Sequence, residues 1–359
     1  MRFINIVDSV SDLNFGVWNA AIINAGLLKL QGIRSELWHP GTYNSHSKNE
    51  NVTFIQVVDG SENTLRNLIE ERSLAPGEDV IITSGVWQYP TRWGALLKKM
   101  GYHWIFVPQG MLEPWPLRHK WLKKMVYFNL VEKRLIEKAD LIRAVSVPEW
   151  ENLKKKFPGK KIVFVPNGVF IDNQEKIKPQ SQKKIGYLFL SRLHSKKNVS
   201  GLVTAWTASS LNNNEYFELV IAGPDQGELQ KIQPLIAMSK NIRYVGTVSG
   251  HAKADLFISC RYFILPSFSE GLPSSLLEAM SYGLIPIITD GCNLPDVFEY
   301  NLGLRTTTKT ADIVSSLEDS SQMDEELIQI RSKGCRKLIS EKYSLEAITN
   351  IQVQLFQTY

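Results

Sequence analysis

Short apolar, β-branched runs alternate along this chain with segments whose apolar residues recur at helical spacing. That alternation leaves few folds open. Arg2–Val10 reads as a strand, and Val17–Leu30 as a helix that stops at Gly32. Ser35–His39, Val52–Val58, Val80–Ser84 and Trp104–Val107 read as strands, with a helix at Thr91–Met100. A long helix is expected over Lys120–Lys138, and strands at Leu141–Val145 and Ile162–Val165. Strands alternating with helices predict a parallel sheet covered on both faces.

The pattern stops after Asn167-Gly168 and starts again later. Ile171–Lys184 is rich in Lys and Gln and has little to bury, so it reads as a linker. A second series follows, with strands at Gly186–Leu190, Glu218–Ile221, Ile242–Val245, Tyr262–Leu265 and Ile285–Thr289. Helices are expected at Val199–Ser209 and Ser274–Tyr282, and a last one at Leu345–Phe356 behind the N-cap Ser344. At 359 residues the chain has room for two such domains. The expected division is a doubly wound α/β domain over 1–170, a linker over 171–184 and a second such domain over 185–343. The helix at 344–359 is expected to pack back on the first. Two such domains would place a ligand cleft between the carboxyl ends of their sheets.

Composition excludes several classes. Hydrophobic residues make up 43% and charged residues 21%, which is ordinary for a globular chain. The three cysteines, Cys260, Cys292 and Cys335, form no C-x-x-C pair and are expected to be free thiols in a reducing cytosol. No apolar run is long enough to span a bilayer, and no basic segment followed by an apolar stretch opens the chain. The net charge is +5, from 41 basic and 36 acidic residues. Residues 1–180 hold 24 basic and 18 acidic residues and the remainder 17 and 18, so the excess is N-terminal. Such an excess fits nucleic acid, an anionic membrane or an anionic substrate.

Two segments carry chemistry. Ser269-Glu270-Gly271-Leu272-Pro273-Ser274-Ser275-Leu276-Leu277-Glu278-Ala279-Met280 leaves a strand and opens a helix. Amides around Gly271, Leu272, Ser274 and Ser275 would bind an anion at the helix start. Glu270 and Glu278 supply carboxylates that accept hydrogen bonds from sugar hydroxyls. Phe189-Leu190-Ser191-Arg192-Leu193-His194-Ser195-Lys196-Lys197-Asn198 also runs from strand to helix, and Arg192 and Lys197 there can meet phosphate oxygens. Either segment alone fits helix capping or a solvated loop. Together, in this order, they point to a sugar linked to a diphosphate.

These segments resemble glycosyltransferase family 4, the retaining group with the two-domain GT-B fold. SRLHSKKN resembles the family's G-R-L-x-x-x-K-G, and SEGLPSSLLEAM its E-G-[FL]-P-x-x-x-L-E-A-M. PQGMLEPWPL is similar to the P-H-G-M-L-x-P-W segment of a bacterial surface-polysaccharide subgroup, and VPNGV to its I-P-N-G-V. The resemblance covers nearly the whole chain. It implies that Arg192 and Lys197 neutralise the donor diphosphate, that Glu270 contacts the donor sugar and that Glu278 holds the ribose. Gly271, Leu272 and Ser274 would offer donor contacts, and Gly16 would let its loop approach the diphosphate. It implies no metal and no cofactor, since the nucleotide sugar is a substrate; no D-x-D motif is present.

Two positions depart from the family pattern. Gln109 stands where His is usual and can only hydrogen-bond, so sugar positioning is expected of it and not proton transfer. Phe15 stands where a second Gly is usual before Gly16.

Arg118, Lys120, Trp121, Lys123 and Lys124 interleave basic and aromatic residues, as at a membrane interface. The resemblance makes this face the approach of a polyprenyl-diphosphate-linked saccharide acceptor. The expected partners are therefore a nucleotide-sugar donor (UDP ahead of GDP), the lipid-linked acceptor and the anionic inner-membrane surface. Nucleic acid is not expected. The expected location is cytoplasmic, peripheral to the inner membrane, in O-antigen, capsule or exopolysaccharide synthesis. A nucleotide-sugar epimerase or hydrolase on the same fold, and a non-catalytic scaffold, are the alternatives.

Overall fold

The structure, a computed structural model, describes residues 1–11, 14–41, 49–57, 59, 61–87, 89–113, 125–171 and 184–356. The chain divides into two compact units, Met1–Gly168 with Leu345–Tyr359, and Val169–Ser344.

The sheet of the first unit contains β1 (Arg2–Val7), β2 (Arg34–His39), β3 (Val52–Gln56), β4 (Asp79–Ser84), β5 (His103–Val107), β6 (Leu141–Ala144) and β7 (Ile162–Phe164). Its order is β3-β2-β1-β4-β5-β6-β7, and every neighbouring pair is parallel. The order reverses between β1 and β4, which makes this a doubly wound sheet with its switch point there. Strands buried on both faces explain the unbroken apolar runs in the sequence. The core on one face gathers Trp38, Trp93, Trp104 and Phe106, and the indole of Trp104 donates to Thr83 Oγ1 at 2.9 Å. Arg2 pairs with Asp79 at 2.7 Å, which ties β1 to β4 at their amino ends, away from the loops that leave the carboxyl ends.

The second unit repeats the plan. It contains β8 (Ile185–Leu190), β9 (Phe217–Ala222), β10 (Ile242–Tyr244), β11 (Tyr262–Leu265), β12 (Ile285–Ile288) and β13 (Leu304–Arg305). The order is β10-β9-β8-β11-β12-β13, again all parallel, with the switch point between β8 and β11. Tyr187 stacks on Tyr262 with centroids 4.7 Å apart, and Trp206 meets Tyr187 edge-on.

The C-terminal helix, Leu345–Phe356, belongs to the first unit. Its Gln352 accepts from Asn24 at 2.9 Å, and Phe356 lies 5.6 Å from Phe3 between ring centroids. The first unit ends at Gly168, two residues before the expected boundary at 170. The expected linker over 171–184 lies outside the described residues apart from its two ends.

Three expectations need correction. The helix read over 17–30 is two helices, Phe15–Ile22 and Ala25–Leu30, because Ile23 and Asn24 interrupt it. Gly16 therefore sits in the first turn of a helix and not in the loop expected of it. The long helix read over 120–138 contains a π-turn at Phe128–Glu132, which puts the Glu132 carboxyl in the interior with no exposure. Burial holds that carboxyl above its ordinary pKa. The basic and aromatic residues Arg118, Lys120, Trp121, Lys123 and Lys124 lie outside the described residues. Among the described residues, no helix is long and apolar enough to cross a membrane.

Candidate active site

Four loops of the second unit leave the carboxyl ends of β8, β9, β11 and β12 and bring most of the sequence-predicted residues together. The loop after β8 is tightly wound. Ser191 N donates to Ala222 O at 3.1 Å, Leu193 N to Pro224 O at 2.8 Å, and a bridge joins Leu193 to Asp225. Gly223 makes this approach possible. Its φ is +135°, and a Cβ there would stand 1.9 Å from Ser191 O. Arg192 is held by Gln226, whose Oε1 accepts from Nη1 at 3.2 Å. His194 Nδ1 accepts from Lys196 N at 3.0 Å, so this lone pair is occupied by the loop itself. Burial, then Arg192, Lys197 and Lys196, lower the His194 pKa, so the ring is neutral at pH 7.

A single 3₁₀ turn at Ser195–Lys197 carries Lys197 inward, where it is 7% exposed. Its ammonium pairs with Glu270 Oε2, and Ser267 Oγ donates to Glu270 Oε1 at 2.6 Å. The Glu270 carboxylate is thus engaged at both oxygens. The segment around it is fixed from the β12 side. Glu270 N donates to Gly291 O, and Asn293 Nδ2 donates to the carbonyls of Glu270 and Gly271 at 2.7 and 3.2 Å. Pro273 is the N-cap of the helix Ser274–Ser281. Among the described residues, nothing accepts from the amides of Gly271, Leu272, Ser274 and Ser275. Glu278 lies on the same helix, and its Oε2 accepts from Lys253 at 2.8 Å. Glu270 and Glu278, expected to accept hydrogen bonds from sugar and ribose hydroxyls, are each paired with a lysine.

Gln109 belongs to the first unit. It follows β5 in the left-handed region, with φ 55°. The next residue, Gly110, donates its N–H to Glu149 Oε1 at 2.5 Å, and Val145 N donates to Glu149 Oε2 at 2.8 Å. Glu149 stands three residues into the helix Val147–Lys156, whose N-cap is Ser146. One carboxylate therefore clamps the loops after β5 and β6.

Burial raises the Glu149 pKa to about 7, against the pull of the two amides. A carboxyl raised in the fold is protonated more readily there than in the unfolded chain. Its contribution to stability is therefore largest below about pH 4.5 and declines as pH rises to about 7. Thermal unfolding of the wild type and Glu149→Gln across pH 4–8 checks this. The wild-type advantage should shrink between pH 4.5 and 7, and an advantage that grows over that range would contradict it.

Ser267, Asn293, Gln226, Lys253 and Glu149 are not among the residues expected at the site. Glu149 carries one sequence signal, the Ser146-x-x-Glu149 spacing of a capping box. Among the described residues, no three His, Cys, Asp or Glu side chains form a group that could hold a metal.

Residues 170–330, which span most of the second unit, match the family model "Glycosyl transferases group 1". The second unit carries a group 1 glycosyltransferase domain. The chain is 24% identical over 274 residues to "Uncharacterized 41.2 kDa protein in cps region" of Klebsiella pneumoniae, covering 74% of this chain and 73% of that one. It is 29% identical over 145 residues to "O-antigen chain mannosyltransferase B" of Escherichia coli, covering 38% of each. Its fold is similar to that of an Anabaena protein solved in complex with UDP and glucose. There the TM-score is 0.75 and the identity 14%, over 99% of both chains.

Proposed function

We propose that this glycosyltransferase moves a sugar, with retention, from a nucleoside diphosphate donor to a lipid-linked saccharide in the synthesis of a bacterial surface polysaccharide. The family-4 motifs and the names of the cps-region and O-antigen relatives support the polysaccharide setting. The Anabaena structure with UDP favours UDP over GDP as the carrier. The observation that carries the reading is that Arg192, Lys197 and the open amides of Gly271, Leu272, Ser274 and Ser275 all lie on the loops after the neighbouring strands β8 and β11.

The chemistry follows from the charges. As the bond between the anomeric carbon and the phosphate oxygen breaks, negative charge grows on the diphosphate. Guanidinium, ammonium and helix-terminal amides stabilise that charge without a bound metal or cofactor. The acceptor hydroxyl forms the new bond on the face the phosphate leaves. Its proton passes to a departing phosphate oxygen. Glu270 is no nucleophile in this scheme; it orients Lys197 and, through Ser267, the loop that meets the sugar. Glu278 remains the ribose contact, with Lys253 fixing its direction.

The acceptor is proposed to arrive from an anionic inner-membrane surface. The exposed Met125, Val126 and Leu130 lie just after the basic, aromatic segment and support this.

Radiolabelled UDP- and GDP-sugars incubated with polyprenyl-diphosphate-linked saccharides test the reading. Transfer with anomeric retention is expected. Release of free sugar or an epimer with no acceptor dependence would favour a hydrolase or epimerase instead. Arg192→Ala is expected to lower transfer about a hundredfold. The variant should keep the wild-type melting temperature, because Arg192 is only partly buried. Near-normal turnover would remove Arg192 from the phosphate role.

A further inference from the structure

On β6, Arg143 is 4% exposed and donates in three directions. Nε gives to Val165 O at 2.8 Å, and Nη2 to Pro166 O at 2.7 Å and to Asn167 Oδ1 at 3.1 Å. Burial lowers its pKa only to about 10, so the guanidinium stays charged at neutral pH. A guanidinium has no acceptor, so the oxygen of Asn167 must face it. The Asn167 nitrogen then faces the other way and donates to Gln109 Oε1 at 3.0 Å.

Each amide in the line has its two ends assigned by the one before it. Amide ends are otherwise hard to tell apart, but a donor-only group at the head of the line removes the ambiguity. The end of the line is Gln109 Nε2, a donor that is enclosed and has no partner among the described residues. The same residue holds a left-handed φ. An unmet donor and a costly backbone on one side chain mark a place kept for a ligand.

We infer that Arg143 and Asn167 are positioning residues that fix Gln109 as a hydrogen-bond donor to an oxygen of a sugar bound against the first unit. This rests on the sugar positioning expected of Gln109 and on the proposed sugar transfer. It adds the direction of the bond and the residues that impose it. With Asn167 altered, the Gln109 carboxamide is free to turn over and present its oxygen instead.

Calorimetric titration with UDP-glucose, GDP-mannose, UDP and GDP tests the inference. Gln109→Ala and Asn167→Asp are each expected to weaken the sugar nucleotide that binds by roughly tenfold. Binding of the bare nucleotide should not change. The double variant should bind no more weakly than Gln109→Ala, because Asn167 acts through Gln109. Additive losses, an equal loss with the bare nucleotide, or no effect of Gln109→Ala would overturn the inference.

If the wild type binds none of the four probes, the donor reading fails, and the line of amides is decided without a ligand. Gln109→Glu places a carboxyl against the Asn167 nitrogen. Its pKa, read by carbon NMR, should rise when Asn167→Leu is added, because the amide that favours its ionised form is lost. Arg143 and Glu149 are unchanged in both variants, so their charges cancel in the comparison. A carboxyl whose pKa falls on adding Asn167→Leu would overturn the inference.

Discussion

Lys197→Met is expected to cost both activity and stability. Lys197 and Glu270 form an ion pair with both side chains less than a tenth exposed. Removing one partner leaves the other charge buried and alone, a loss of about 3–5 kcal/mol. Removing a positioned cation from a developing phosphate charge costs about 10²–10³ in turnover. The two effects separate in a double variant. Lys197→Met with Glu270→Gln removes both charges and should recover most of the lost stability, measured by denaturant unfolding. Turnover should stay low. A Lys197→Met enzyme that unfolds like the wild type would show that the pair is not buried in solution. A double variant that regains activity would show that Lys197 matters only for folding.

Gly223→Ala should be the most damaging single methyl group in the second unit. The added Cβ would press on Ser191 O at 1.9 Å, and the φ of +135° is one that side chains avoid. The expected loss is roughly 3 kcal/mol or more. Turnover should fall with it, because the displaced carbonyl directly precedes Arg192. Gly227→Ala is the comparison. Its φ of +92° carries backbone strain, but nothing lies within 4 Å of the new Cβ. It should cost only about 1 kcal/mol. Equal losses in the two variants would show that backbone strain, and not the close approach to Ser191, governs the loop.

Much of the fold was legible because parallel strands buried on both faces announce themselves as short apolar runs. The ends of those runs moved by only one or two residues, except at β1, which stops at Val7 where Val10 was expected. The phosphate-facing loops were legible for the same local reason: each motif sits in one stretch of chain. Partnerships were not. Lys197 and Glu270 are 73 residues apart and meet only because β8 and β11 are neighbours. Lys253 and Glu278 meet across two helices. The line from Arg143 to Gln109 depends on β5, β6 and β7 lying side by side. Nothing in local spacing encodes strand order. The break after Ile22 and the π-turn at 128–132 were hidden because helical periodicity continues through both.

The place where the chain leaves and re-enters the first unit bears on how the protein can be divided. A Cβ on Gly168 would stand 2.9 Å from the Cα of Leu345, so the two ends of that unit's broken chain nearly touch. On the other side, Val169 and Ser344 are joined by a parallel bridge. The second unit is thus an insertion whose entry and exit coincide, an arrangement that domain excision tolerates well. A short Gly-Ser splice from Gly168 to Leu345 would close the first unit and keep the terminal helix over Phe3 and Asn24. Simple truncation at Gly168 would strip that helix away. Spliced and excised halves would allow the stability of each unit to be measured on a separate polypeptide.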